Sequence, residues 1–142
     1  AYAAQIAGAR SVGAVGRNSQ RAVYSGTGAH LEIVAPGGNP PDGDPDGFVW
    51  QTAPFFPDFD PEVIRPRFDR YTEIGSAGTS MAAPHVAGVA ALLYTQGIDR
   101  PAAIEAAITR FATDLGGEGR DNDFGFGLVN ARDSLRGLGV TR

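Results

Sequence analysis

Residues 80–95 place the tightest constraint on what this chain can become. Ala82, Ala83, Val86, Ala87, Val89, Ala90, Ala91, Leu92 and Leu93 make the stretch apolar nearly all round. A helix with no polar face is a buried helix, so the fold has to supply cover on every side. The small side chains let neighbouring backbones approach closely. Pro84 falls near the start, where first-turn N–H groups lack partners in any case. The longest apolar run, Val86 to Tyr94, is about half the roughly 20 residues that span a bilayer, so no transmembrane helix is expected.

The flanking segments alternate between strand and helix signals. Ser11 to Gly16, Ala22-Val23-Tyr24 and Leu31 to Val34 read as short strands separated by tight turns, the last stopping at Ala35-Pro36-Gly37-Gly38. Gly13 and Gly16 do not complete a dinucleotide-binding spacing, and no helix follows them. A second helix is expected from about Arg100 to Ala112, with Asp99 as cap and Ile104, Ala107, Ile108 and Phe111 on one face. Phe124 to Val129 reads as a turn and short strand. A last helix starts at Asn130, with Asp133 as a capping-box partner.

Residues 38–75 differ in character. They carry seven of the ten prolines, together with Phe48, Trp50, Phe55, Phe56, Phe59, Phe68 and Tyr71. This reads as a long irregular insertion. Two readings stay open: an ordered loop packed on the surface beside a substrate groove, or an ornamental insertion.

Composition narrows the function. Sixteen acidic against twelve basic residues give a net charge of −4. A general nucleic-acid binder needs a basic face, so that class is disfavoured. Cysteine is absent, which removes disulfides, thiol nucleophiles and cysteine-based zinc sites. The 42% hydrophobic content is enough for a packed core. The chain opens on Ala1 rather than Met, which reads as a processed product or a piece of a longer chain.

The segment with chemistry in it is Gly78-Thr79-Ser80-Met81-Ala82-Ala83-Pro84-His85-Val86-Ala87-Gly88. A flexible Gly leads to a Ser at the start of an apolar helix. A hydroxyl there sits among unpaired N–H groups at the positive end of the helix dipole. Charge developing on a substrate carbonyl beside Ser80 would be stabilised by those groups, which is half of an oxyanion hole. On physics alone Ser80 also serves simply as a helix cap.

This segment resembles the nucleophile motif of the subtilisin-like serine proteases at every position of Gly-Thr-Ser-Met-Ala-x-Pro-His-Val-Ala-Gly. Ser11 to Val15, Tyr24 to Gly28 and Ile33 to Gly37 are similar to the strands that precede the nucleophile in that family. Phe124 to Ala131 is similar to its Gly-x-Gly-hydrophobic-Asn-Ala element. The resemblance implies a partial subtilisin-like α/β fold, with a mainly parallel sheet and a central buried helix carrying the nucleophile at its N-terminus. It implies a serine endopeptidase with Ser80 as the acylated nucleophile, the Ser80 N–H as an oxyanion donor, and Thr79 and Gly78 beside the bound carbonyl. It further implies a secreted enzyme acting on protein or peptide substrates, with no required cofactor and no nucleic-acid or membrane partner.

The departures carry as much weight. Family members present an Asp, then a His, then the Ser in chain order. Neither the Asp motif nor the His motif is present here. Of the two histidines, His85 belongs to the Ser80 segment and lies about 140° around the helix from it, which suits a hydrogen-bonded core residue. His30 sits in a turn. The chain therefore resembles the C-terminal part of a catalytic domain, whose N-terminal part would be its partner. A non-catalytic module that keeps the motif for packing, and one chain of a two-chain protease, are the competing readings.

Asp42-Gly43-Asp44-Pro45-Asp46-Gly47 matches the opening of a calcium loop, because alternate carboxylates converge on a hard cation. Position twelve is Ala53 rather than Glu, so Asp58 or Asp60 would have to close the site. A structural calcium at Asp42, Asp44 and Asp46 stands against a solvated acidic turn, and calorimetry on the intact protease decides between them. Poor stability is expected of residues 1–142 alone, since a helix buried on all sides needs more cover than they supply. Without a positioned base a Ser hydroxyl is a weak nucleophile. Residues 1–142 alone are thus expected to hydrolyse no peptide; inhibitor-sensitive turnover that vanishes in Ser80→Ala would refute this.

Overall fold

The computed structural model describes residues 8–40, 45–55 and 67–137. Two strands, β1 (Val12–Val15) and β2 (Ile33–Pro36), pair in parallel with Val12 opposite Ile33 and Val15 opposite Pro36. Their side chains alternate between two faces, as the strand period of two requires. Val12, Ala14, Ile33 and Ala35 turn to one side, where α1 (Thr79–Thr95) packs. Val15 and Val34 turn to the other, against Leu31, Leu115, Phe124 and Leu128.

The approach of α1 to this sheet is set by small residues. Ala14, Ala22, Ala35 and Ala82 are fully buried against one another at the first turn of the helix. One turn and more further on, Val89 and Leu93 meet Ile33, together with Ala107 and Ile108 of α2 (Pro101–Arg110). Helix α3 (Ala131–Arg136) closes that cluster through Ala131 and Leu135. Its cap is the expected one: Asn130 accepts the Asp133 N–H at 3.0 Å and donates to the Asp133 carboxylate at 2.8 Å. The Asp99 cap is not formed; Arg100 takes the cap position of α2 without a side-chain bond, ahead of Pro101. Proline is well placed there, because its missing N–H would have had no intrahelical partner.

The segment from 38 to 75 is more regular than its prolines suggested. Strands β3 (Val49–Phe55) and β4 (Arg67–Ser76) form an antiparallel hairpin, with an irregularity after Pro54. Val49-Trp50-Gln51-Thr52 has the strand alternation, and Pro54 sits at the irregular end where a lost ladder bond costs least. Trp50 lies across from Gly75, whose missing side chain leaves room for the indole. The described strands therefore divide into one parallel and one antiparallel pair, rather than a mainly parallel sheet. Ala22-Val23-Tyr24 is no strand either: Ala22 is buried in the cluster, Val23 faces outward, and the Tyr24 ring is partly exposed.

Helix α1 departs from expectation in two ways. Only Ala82, Val89 and Leu93 are buried, while Ala83, Ala87, Ala91, Leu92 and Tyr94 are exposed. Sheet, α2 and α3 cover one side of it. Pro84 is also deeper than the first turn, at the sixth helical residue. It removes the N–H that would have reached the Ser80 carbonyl four residues back. No described helix is long and apolar enough to cross a membrane.

Leu93 is fully buried between sheet and helices. Leu93→Ala is expected to cost about 2–5 kcal/mol. Asn130→Ala, which removes only a cap, should cost about 1 kcal/mol. Denaturant melts of the two variants in the full-length protein check both the size and the order.

Candidate active site

The first turn of α1 stands at the carboxyl ends of β1 and β2, the usual place for a site in an α/β sheet. It is held there by a backbone junction. Pro36 ends β2, and the next carbonyl, Gly37 O, accepts the Gly78 N–H at 2.8 Å. The Gly78 carbonyl then accepts from Met81 at 2.9 Å and Ala82 at 3.3 Å. Both peptide groups of Gly78 are thus tied, one to the sheet and one to the helix.

Glycine is required on the sheet side of this junction. A Cβ at Gly37 would lie 2.5 Å from the Ala14 Cβ and 2.8 Å from the Gly78 carbonyl oxygen. Gly38 takes a positive φ of 79°, the left-handed region where side chains are strained. The Tyr24 hydroxyl donates to this loop, reaching the Gly37 carbonyl at 2.7 Å and also the Gly38 carbonyl. Burial pushes the Tyr24 hydroxyl above the usual tyrosine range, offset in part by the nearby Gly78 backbone.

Ser80 is exposed on the second residue of α1, after Thr79 rather than at the first position. The N–H groups of Thr79 and Ser80 precede the first intrahelical bond, so the helix makes no use of them. Ser80 does not cap the helix: Gly78 holds the cap position, without a side-chain bond. The alternative of a purely capping serine therefore loses its structural basis.

A cavity of about 230 Å³ opens beside Ser80, lined by Met81, Pro84 and His85 from α1 and by Val49 and Gln51 from β3. His85 is exposed rather than in a core, and its Nδ1 donates to the Met81 carbonyl at 2.8 Å. That carbonyl is one helical turn back, so the ring is folded along its own helix. Among the described residues no hydrogen bond joins His85 or His30 to Ser80.

The sequence-derived residues Gly78, Thr79 and Ser80 thus converge on one helix start. Of the three calcium candidates only Asp46 is among the described residues. Asp42 and Asp44, like Asp58 and Asp60, lie outside the described residues. Asp46 is exposed, with a carboxylate oxygen 3.7 Å from Arg17 Nη1. Among the described residues no group of three or more His, Asp or Glu gathers where it could hold a metal.

Sequence reasoning missed Tyr24, Gly37, Val49 and Gln51. The alternation at Val49-Trp50-Gln51-Thr52 was a usable signal for the last two. For the aromatic residues near them, the structure gives a mixed answer. The hairpin does flank the Ser80 cavity, but Trp50, Phe68 and Tyr71 are 55%, 71% and 63% exposed and are not packed down on a surface.

A sequence profile of the subtilase family matches residues 1–127. This chain belongs to the subtilase family. M-protease of Shouchella clausii is 35% identical over 136 residues, 95% of this chain and 29% of that protein. Subtilisin BL of Lederbergia lenta is also 35% identical over 136 residues, covering 40% of its own length. The extracellular serine protease of Serratia marcescens is 55% identical over 62 residues, 43% of this chain and 6% of that protein. Among solved structures, a lanthipeptide protease superposes with a TM-score of 0.77 at 29% identity, covering 95% of this chain and 43% of its own. Fervidolysin from Fervidobacterium pennivorans gives a TM-score of 0.72 at 30% identity, covering 95% and 20%. This subtilase chain spans well under half the length of the relatives it matches, and it shares their α/β fold.

The crowding at Gly37 is directly testable. In the full-length subtilase, Gly37→Ala must push apart Ala14 and Gly78, at an expected cost of about 1–3 kcal/mol. Thermal melts should show the loss.

Proposed function

We propose that this chain is the nucleophile-bearing, C-terminal portion of the catalytic domain of a secreted serine endopeptidase, and that Ser80 is the acylated residue. The observation that carries the reading is the position of Ser80. It is an exposed hydroxyl on the first turn of a helix whose opening N–H groups are left unused, beside a cavity. Family membership and the serine-protease and extracellular names of the relatives support it.

In the proposed reaction the Ser80 hydroxyl attacks the carbonyl carbon of a peptide bond and gives up its proton to a histidine base. The carbonyl oxygen takes the negative charge, which the Ser80 N–H stabilises beside Thr79 and Gly78. Collapse of the tetrahedral intermediate releases the amine, protonated by the same histidine, and leaves an ester on Ser80. Water hydrolyses that ester. No metal or organic cofactor takes part.

Neither described histidine is bonded to Ser80, so in this reading the base and its orienting aspartate come from a segment that precedes this chain. That segment would also cover the exposed apolar side of α1 and complete the sheet. The proposed substrates are proteins or peptides.

Treatment of the full-length protein with a fluorophosphonate, followed by peptide mapping, should place the adduct on Ser80. Ser80→Ala should abolish labelling and lower kcat by about 10⁶, the magnitude established for subtilisin itself. An adduct elsewhere, or residual activity near that of the parent, would overturn the assignment.

A further inference from the structure

We infer that Tyr24 is a positioning residue for the Ser80 nucleophile, acting through its hydroxyl on the Gly37–Gly38 loop. The inference rests on the proposed role of Ser80. Its basis is a relay of two hydrogen bonds on one carbonyl. Gly37 O accepts the Tyr24 hydroxyl at 2.7 Å and the Gly78 N–H at 2.8 Å, using both lone pairs.

The loop needs such an anchor. Gly37 and Gly38 are consecutive glycines, the most permissive backbone a chain can have. Yet the Gly37 carbonyl is what ties the start of α1 to the sheet, two residues before Ser80. Neither glycine has a side chain to hold its own peptide plane. The hydroxyl of Tyr24 supplies that restraint from outside, fixing the direction of the Gly37 carbonyl and reaching the next one as well.

The ring of Tyr24 points to the same conclusion. It is 41% exposed, so it is not a core residue held for its apolar surface. What is turned inward is the oxygen, which lies 3.3 Å from where a Gly37 Cβ would stand. The residue is placed for its hydroxyl and not for its bulk.

Removing the hydroxyl should let the Gly37 carbonyl rock, and the Gly78 amide with it. A small displacement of a nucleophile is costly in rate, because productive attack needs the reacting atoms in line and close. Substrate binding does not require that alignment and should change little.

The experiment compares the full-length protease with its Tyr24→Phe variant. Active sites are counted by fluorophosphonate adducts on Ser80, and kcat and KM are then expressed per labelled serine. The expected result is about a tenfold fall in kcat and in the rate of labelling, with KM within twofold and complete labelling at long times. Counting labelled serines removes misfolded protein from the comparison. A variant that merely melts earlier, with kcat per labelled serine unchanged, would overturn the inference and leave the Ser80 assignment intact. Absence of a Ser80 adduct in the parent would overturn both. Tyr24→Leu gives a second arm. It should match Tyr24→Phe in kcat per labelled serine if the hydroxyl carries the effect, and a much larger fall would return the role to the ring.

Discussion

The meeting of two glycines, Gly37 at the end of a strand and Gly78 at the start of a helix, is the constraint on which the candidate site depends. Their contact is a single N–H to carbonyl bond, possible because Gly37 brings no side chain into the gap. Ala14 closes the floor of that gap, and Ala82 with Ala35 and Ala22 lets the helix settle onto the sheet directly beneath it. Everything at the helix start inherits its position from this arrangement. The exposed hydroxyl of Ser80 takes its position from the backbone two residues earlier, which the Gly37 carbonyl ties to the sheet.

Much of this was legible in the residues. The Gly78 to Gly88 segment placed a serine at a helix start, and the structure puts Ser80 on the first turn of α1. Asn130 and Asp133 announced the cap of α3 correctly, since capping is local chemistry between residues three apart. What could not be read was whatever depends on distant partners. The apolar run 80–95 was read as a buried helix, but burial is a property of the surrounding elements, and of that run only Ala82, Val89 and Leu93 are buried. His85 was expected in a core for the same reason and is exposed instead, bonded back to Met81.

The hairpin was missed for a different reason. Prolines and aromatics dominate residues 38–75 by count, and count obscured alternation. Pro54 lies at the irregularity of the ladder and interrupts little. Ala22 to Tyr24 failed in the opposite direction. Three residues of strand-like composition sit in a turn region, where Ala22 is used for packing and Tyr24 for its hydroxyl. The relay through Tyr24 has no sequence signature at all, because it joins residues 13 positions apart through a carbonyl.

Trp50 is the sole tryptophan of the chain. It stands on the outer side of the hairpin over Gly75, with its indole N–H on the Pro45 carbonyl at 3.0 Å. Intrinsic emission from this chain therefore reports on the arm flanking the serine, while far-ultraviolet ellipticity reports on the three helices. The two optical signals monitor different parts of one molecule, and a solvent that loosened the arm without melting the helices would quench one and spare the other.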